Sequence, residues 1–143
     1  MRETSVAVVV VRDRAGWYFI NRRTPWRARY PGRFGIGAGG KVNDTETAEA
    51  AAERELREET GLDVRPRPVL AFFYVDGAVR HTVHLFDIVI DRVPIPNCAA
   101  EWSASCWVPP RVVDRLHRAG LLSPDTAALW DRYQDVQPAQ CLS

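Results

Sequence analysis

The chain has 143 residues, of which 46% are hydrophobic, and its formal net charge is +1. This composition predicts one globular domain, residues 1–143, that is long enough to bury a hydrophobic core and too short for a second folded domain. A net charge near zero excludes a global electrostatic attraction to a nucleic-acid polymer or to a membrane surface. We therefore expect any charged function to be local.

The chain shows no sequence pattern of export or metal binding by cysteine. Residues 6–11 are apolar, but the run is too short for a membrane span or for the core of a signal peptide. We therefore predict a cytoplasmic protein that does not enter the membrane. Cys98, Cys106 and Cys141 are odd in number and match no zinc-site spacing, so we interpret them as reduced structural thiols.

The first elements form a predicted β-hairpin. Residues 5–12 are apolar and β-branched, residues 13–16 have turn chemistry, and residues 17–23 return as a second strand. The continuous valine run in the first strand is typical of a strand that is covered on both faces. The pattern therefore favours a sheet that lies between layers of helices.

Residues 22–33 form a basic and aromatic loop without a single acidic residue. Arginine side chains bind the free oxygens of a phosphate, and an aromatic ring can stack on a nucleobase. The candidate substrate-binding residues are Arg22, Arg23, Trp26, Arg27, Arg29 and Tyr30. The alternative interpretation is a mobile solvated loop whose arginines meet scattered carboxylates.

Residues 34–40 contain four glycines in seven positions. Glycine lets the backbone approach a ligand closely and present both its carbonyl and its amide groups. This segment directly precedes an acidic helix, so we interpret it as part of the same site. A tight turn without a binding role is the alternative.

The helix that we predict for residues 47–60 carries acidic and small residues on one side. Thr45 or Thr47 provides the cap before a run of strong helix formers, and Gly61 ends the helix. At about 100° per residue, three glutamates fall within an arc of about 100°, on the same side as three alanines. They are Glu55, Glu58, Glu59, Ala48, Ala51 and Ala52. Since alanines permit close helix packing, we expect the three carboxylates to be held at a cleft.

Carboxylates at this spacing repel one another, and a hard divalent cation relieves the repulsion. Such a cation binds carboxylate and carbonyl oxygens and keeps coordination sites for water and a phosphate. Arg54 lies beside the arc, where its planar guanidinium can pair with Glu46 or Glu55. The alternative is a solvated surface helix that carries only internal ion pairs.

A second hairpin follows the helix. Residues 66–75 and 80–91 are apolar and are joined by Asp76-Gly77, a strong turn signal. His81 and His84 face opposite sides of such a strand, so we interpret them as ordinary strand residues and not as a ligand pair.

The last third of the chain predicts two helices, residues 109–118 and 124–133. The local signals are two prolines at first-turn positions, a serine at an N-cap position and a glycine that stops a helix. They are Pro110, Pro124, Ser123 and Gly120.

Residues 40–62 follow the spacing G-x5-E-x7-R-E-U-x-E-E-x-G-U, where U is aliphatic, and all nine positions are filled. The segment resembles the Nudix box, the signature of the Nudix hydrolases. The resemblance implies the Nudix fold, an α+β architecture in which a mixed sheet is flanked by helices as an α/β/α sandwich. One departure is Ala38-Gly39-Gly40, where the common family form has Pro-Gly-Gly.

The resemblance also implies a site. Its metal ligands would be Gly39, Glu55, Glu58, Glu59 and Glu101, which bind Mg2+ or Mn2+. The backbone carbonyl of Gly39 or Gly40 would contribute, and Glu101, six residues before Trp107, would be an additional ligand or a base. The candidate catalytic residues are Glu55, Glu59 and Arg54, with either glutamate as the general base.

These residues predict a Nudix pyrophosphohydrolase that cleaves the diphosphate bond of a small molecule, such as a nucleoside di- or triphosphate, with no nucleic-acid polymer as partner. A homodimer is left open. One alternative is an isopentenyl-diphosphate isomerase-like enzyme, which residues 122–129 also resemble, but the cysteine of that chemistry is replaced by Gly39. Another alternative is a non-catalytic nucleotide-binding module, although such modules usually lose the box carboxylates.

Overall fold

A computed structural model describes residues 4–77, 79–95 and 102–136. The helices are α1 (Ala48–Thr60), α2 (Pro110–Arg118) and α3 (Pro124–Val136). The strands are β1 (Thr4–Asp13), β2 (Tyr18–Arg23), β3 (Phe34–Ile36), β4 (Ala38–Lys41), β5 (Arg67–Asp76), β6 (Val79–Ile90) and β7 (Trp102–Val108). Both predicted hairpins and all three predicted helices are confirmed.

Within those residues the strands form one mixed seven-stranded sheet with β1 at its centre. Strand β1 pairs in parallel with β6 along its whole length and antiparallel with β4 and β2. Strand β7 extends the sheet beside β2, and β5 lies outside β6. The predicted α+β architecture, a mixed sheet flanked by helices, is confirmed.

The valine run of β1 is covered on both faces, as predicted. Val10 belongs to one hydrophobic core, whereas Val9 and Val11 belong to another on the opposite face. All three side chains are fully buried. Successive residues of a strand alternate between faces, so a continuous apolar run is needed wherever both faces are packed.

Helix α1 covers one face of the sheet. Its N-cap is Thr47, whose hydroxyl accepts a hydrogen bond from Ala50 N at 3.1 Å. Gly61 ends the helix with φ 79°, a left-handed conformation that glycine adopts without strain. Ala51 and Ala52 are fully buried in the core beneath the helix, so their small side chains bring α1 close to the sheet.

Helices α2 and α3 cover the other face. Val113 of α2 and Trp130 and Tyr133 of α3 are buried in the core that contains Val10. The Tyr18 ring meets the rings of Trp130 and Tyr133 edge to face, with centroids 5.0 and 6.3 Å away. Such pairs add geometric preference to the burial of large apolar area.

The structure also bears on the expectations about a membrane span and about the cysteines. No helix in the described ranges is long and apolar enough to cross a membrane. Cys106 carries a free, exposed thiol, whereas Cys98 and Cys141 lie outside the described residues.

Candidate active site

Glu59 is the most deeply buried acidic residue of α1, with 8% of its surface exposed. Its Oε1 accepts a hydrogen bond from Gly39 N at 3.2 Å, which ties the helix to β4. Burial raises the pKa of Glu59 to about 9, and a hydrogen bond to the Glu55 carboxyl acts in the same direction. In the metal-free protein, Glu59 therefore keeps a proton at neutral pH.

Gly40 leaves the space that the Glu55 carboxyl occupies. A Cβ at position 40 would overlap the carboxyl oxygens of Glu55. At Gly39 a Cβ would lie 2.5 Å from the carbonyl oxygen of Ala7, because β4 is pressed against β1. The two glycines thus allow the backbone and the acidic helix to meet, which supports the binding interpretation of this segment over a simple turn.

Arg54 is the hub of a hydrogen-bond network beside these carboxyls. It contacts Glu46 Oε1 at 2.6 Å, Glu55 Oε1 at 2.9 Å and the carbonyl oxygen of Lys41 at 3.0 Å. The hydrogen bonds with Glu46 raise the pKa of Arg54 above its usual value. The sequence left open whether Arg54 pairs with Glu46 or Glu55, and the structure shows both pairings.

Glu58 differs from its two neighbours. Its side chain is 57% exposed and reaches Arg54 NH1 at 3.3 Å, whereas the Glu55 side chain is 13% exposed. The expectation that all three carboxylates are held in a cleft is therefore wrong for Glu58. Within the described part of the chain, no three acidic, histidine or cysteine side chains converge closely enough to hold one cation.

A cavity of about 470 Å³ opens beside Glu59. One part of its wall comes from the glycine-rich segment and α1, through Gly39, Gly40 and Glu59. Another part comes from the basic loop, which contributes Arg23, Arg27, Arg29 and Tyr30. The structure thus brings four of the six candidate substrate-binding residues to the same cavity as the buried glutamate.

The other two candidates lie elsewhere. Arg22 Nε donates to the carbonyl oxygen of Gly32 at 3.0 Å, and its guanidinium lies over the Phe34 ring. The Trp26 side chain is 72% exposed. Neither residue lines the cavity.

The basic loop is tied down at several points, contrary to the alternative of a mobile solvated loop. Arg23 Nε donates to the carbonyl oxygen of Arg29 at 2.8 Å. The Tyr30 hydroxyl donates to Asp76 Oδ2 at 2.8 Å, which links the loop to the β5–β6 hairpin. Tyr30 has φ 50°, and it is the single non-glycine residue with positive φ among those described. These contacts hold the loop arginines against the cavity.

Five polar residues of the cavity wall were missed by sequence reasoning. They are Asn21, Lys41, His81, Asp125 and Thr126. His81 lies in β6 as predicted, but it is only 2% exposed and lines the cavity, which the sequence interpretation did not foresee. A signal did exist: His81 is in phase with the buried Val83 and Leu85 of β6, so the alternation placed it inward. Glu101 lies outside the described residues, and its proposed role stays a prediction.

The family model of the NUDIX domain matches residues 1–129 of this chain. The chain belongs to the Nudix family. A relative from Pseudomonas aeruginosa, the uncharacterized Nudix hydrolase PA4841, is 30% identical over 129 residues, which cover 90% of this chain and 76% of the relative. The chain spans about half the length of other curated relatives that it matches.

Solved Nudix-type structures share the fold. DR0079 from Deinococcus radiodurans superposes with a TM-score of 0.78 at 25% identity, over 92% of this chain and 85% of that one. The NUDIX domain of Shewanella oneidensis NrtR, solved with ADP ribose, has a TM-score of 0.77 at 15% identity, over 94% and 88% of the two chains. The second similarity concerns the fold alone.

Membership of the Nudix family gives the acidic helix a chemical context. Nudix hydrolases generally depend on divalent metal ions, and α1 with β4 carries the complete box in this chain. The resemblance of residues 122–129 to isopentenyl-diphosphate isomerases stays a prediction.

Proposed function

We propose that this Nudix protein is a metal-dependent pyrophosphohydrolase that cleaves the diphosphate bond of a nucleoside diphosphate derivative. One observation carries the proposal: the cavity is lined by the buried Glu59 and by three arginines of a tethered loop. Diphosphate hydrolysis needs cations for the free phosphate oxygens and a carboxylate that handles the proton of the attacking water. This cavity offers both kinds of group.

The box residues fit a hard divalent cation, Mg2+ or Mn2+. Glu55 and Glu59 share a hydrogen bond that requires a proton, and such a proton stands where a cation can take its place. The carbonyl of Gly39 is a further oxygen ligand, which hard cations prefer, and the exposed Glu58 would have to turn towards Glu55 and Glu59 to join them. When bound, the cation supplies positive charge at the diphosphate and makes the attacking water more acidic.

The protein's own residues have separate tasks in this proposal. Glu59 or Glu55 accepts the proton of the attacking water, because both carboxyls are shielded from solvent. Arg54 is a positioning residue, since it holds the Glu55 carboxyl and the backbone of Lys41. Arg23, Arg27 and Arg29 bind the phosphate groups remote from the bond that breaks.

The nucleotide part of the proposal has independent support. The NUDIX domain of NrtR, whose fold this chain shares, was solved with ADP ribose. A cavity of about 470 Å³ is of the size that small-molecule ligands occupy, about 300–1,000 Å³. A homodimer and a cytoplasmic location stay predictions from the sequence.

A phosphate-release screen tests the proposal. Nucleoside di- and triphosphates, nucleotide sugars, dinucleotides and prenyl diphosphates are incubated with Mg2+, with Mn2+ and with EDTA. We expect metal-dependent release that Glu59→Gln abolishes and that Glu49→Gln, an exposed glutamate of the same helix, leaves intact. Nucleotide binding without turnover would instead identify a binding module, and isomerisation of a prenyl diphosphate would identify the isomerase alternative.

A further inference from the structure

Asp125 and His81 are two of the polar side chains of the cavity that have no task in the proposed hydrolysis. Asp125 lies in the first turn of α3, and His81 lies near the start of β6. Both line the cavity that Glu59 and the loop arginines share. They therefore face the part of a substrate that the diphosphate chemistry does not use.

Nε2 of His81 has no hydrogen-bond partner in the described part of the chain, although the side chain is almost completely buried. Its ring stacks on Tyr74 with centroids 5.7 Å apart, and its exposed fraction is 2%. Among the described residues, none forms a hydrogen bond with Nε2. Burial lowers the pKa of His81, so the imidazole is neutral at pH 7 and offers one N–H donor and one acceptor nitrogen. A buried nitrogen without a partner is unfavourable, and a ligand group can satisfy it.

Asp125 supplies a complementary group. Its Oδ1 accepts a hydrogen bond from Thr126 N at 2.9 Å, and in the described structure Oδ2 has no hydrogen-bond donor. An ionised carboxylate only accepts hydrogen bonds, and its two oxygens can take two donors side by side. The carboxylate lies close enough to His81, Arg23 and Tyr30 to influence their charges.

We propose that Asp125 and His81 recognise a guanine base, so that the substrates of this enzyme are guanosine diphosphate derivatives. The inference rests on the proposed function and assigns the substrate class of the same cavity. Of the five common bases, guanine alone presents two adjacent N–H donors, N1–H and N2–H2, next to a keto oxygen. The carboxylate accepts from the two donors, and the neutral imidazole donates to the keto oxygen.

The other bases place a mismatched group against the carboxylate. Adenine and cytosine each present one amino donor beside an unprotonated ring nitrogen, whose lone pair repels a carboxylate oxygen. Uracil and thymine present one N–H between two carbonyl oxygens. A mismatch that leaves a shielded charge unpaired discriminates strongly between ligands.

Calorimetric titration in EDTA tests the inference without any contribution from catalysis. GDP and ADP are the probes, because they differ only in the base. We expect GDP to bind the wild-type protein about ten- to a hundredfold more tightly, the range for one bidentate base contact.

Asp125→Asn is the decisive variant. The amide keeps an oxygen for Thr126 N–H, so the start of α3 is preserved, but it presents one donor and one acceptor. GDP binding should weaken by about ten- to a hundredfold, and ADP binding should strengthen, because adenine matches an amide. Asp135→Asn, which changes an exposed acid of the same helix, is the matched control and should leave both affinities unchanged. His81→Phe keeps the ring and should weaken GDP binding alone.

The outcomes separate the two proposals. Equal affinities of the wild type for GDP and ADP, no binding of GDP, or an equal loss for both nucleotides in Asp125→Asn would overturn the guanine assignment. The last result would mean that Asp125 binds the ribose or supports Arg23. A clear guanine preference without hydrolysis of any guanosine compound would keep this inference and overturn the proposed function.

Discussion

The two parts of the cavity wall are built in different ways. The acidic part comes from β4 and α1, which are consecutive elements within residues 38–60. The part that we assign to the remote end of a substrate comes from the basic loop, β6 and α3, which are far apart in sequence. Local spacing therefore encodes the reaction chemistry, whereas the substrate preference depends on how distant segments pack.

In the part of the cavity wall that β4 and α1 form, replacing a carboxylate should strongly lower the rate of hydrolysis. We expect Glu59→Gln and Glu58→Gln each to retain the fold and to lower kcat by about two to four orders of magnitude, the range for losing a general base or a metal ligand. Steady-state kinetics on the best substrate of the screen measure the effect. Near-normal kcat in both variants would refute the site, and an effect confined to Glu59 would assign the chemistry to the buried carboxyl.

The part of the wall that the basic loop, β6 and α3 form should mainly affect the binding of the substrate. Replacing Arg27 and Arg29 together with alanine should mainly raise KM, because contacts made equally in ground and transition states affect binding alone. We expect kcat/KM to fall by roughly tenfold to a few thousandfold, the range for losing two charge-assisted contacts. Added salt should reproduce part of this loss in the wild type.

The control is a double change of Arg14 and Arg57 to alanine, which removes the same charge outside the cavity. If the KM of the Arg27/Arg29 variant at low salt equals that of the wild type, the loop does not contact the substrate. Equal losses in both double variants would indicate a general effect of net charge.

Arg54 joins α1 to the end of β4, and its loss should affect stability more than chemistry. We expect Arg54→Ala to lower Tm by about 3–8 °C, the shift that one or two lost hydrogen bonds produce in a domain of this size. The planar guanidinium contacts several oxygens at once, so Arg54→Lys should restore only part of Tm. A large fall in kcat at unchanged Tm would contradict the positioning role.

A further expected effect, on stability alone, concerns the proton of Glu59. Burial and the Glu55 carboxyl raise its pKa in the folded, metal-free protein to about 9, above the ordinary value of 4.5. The folded state then binds this proton more tightly than the unfolded state does. The stabilisation is complete below pH 4.5 and is lost as the pH rises towards 9, by at most about 1.4 kcal/mol per pH unit.

Chemical denaturation in EDTA at pH 6 and pH 8 measures this difference. We expect the free energy of unfolding to be lower at pH 8, and Glu59→Gln, which cannot ionise, to flatten the dependence. Saturating Mg2+ should reverse the trend in the wild type, because a cation binds the ionised carboxyls. An equal free energy of unfolding at both pH values in EDTA would show that Glu59 is ionised throughout.

The sequence by itself determined the elements whose causes are local. The cap at Thr47 and the stop at Gly61 fix α1, Asp76-Gly77 fixes the second hairpin, and the valine run requires a strand that is buried on both faces. The box spacing also offered Glu46 and Glu55 as alternative partners of Arg54, and the structure shows that the guanidinium reaches both.

Only the tertiary structure decided which of these groups leave the solvent. Helical spacing placed Glu58 and Glu59 on one side of α1, but the position of β4 buries Glu59 and leaves Glu58 in water. The tether from Tyr30 to Asp76 and the cavity wall shared by His81 and Asp125 join segments that are far apart in the chain. Local alternation indicates which face of an element is buried, but long-range contacts depend on the packing of whole elements.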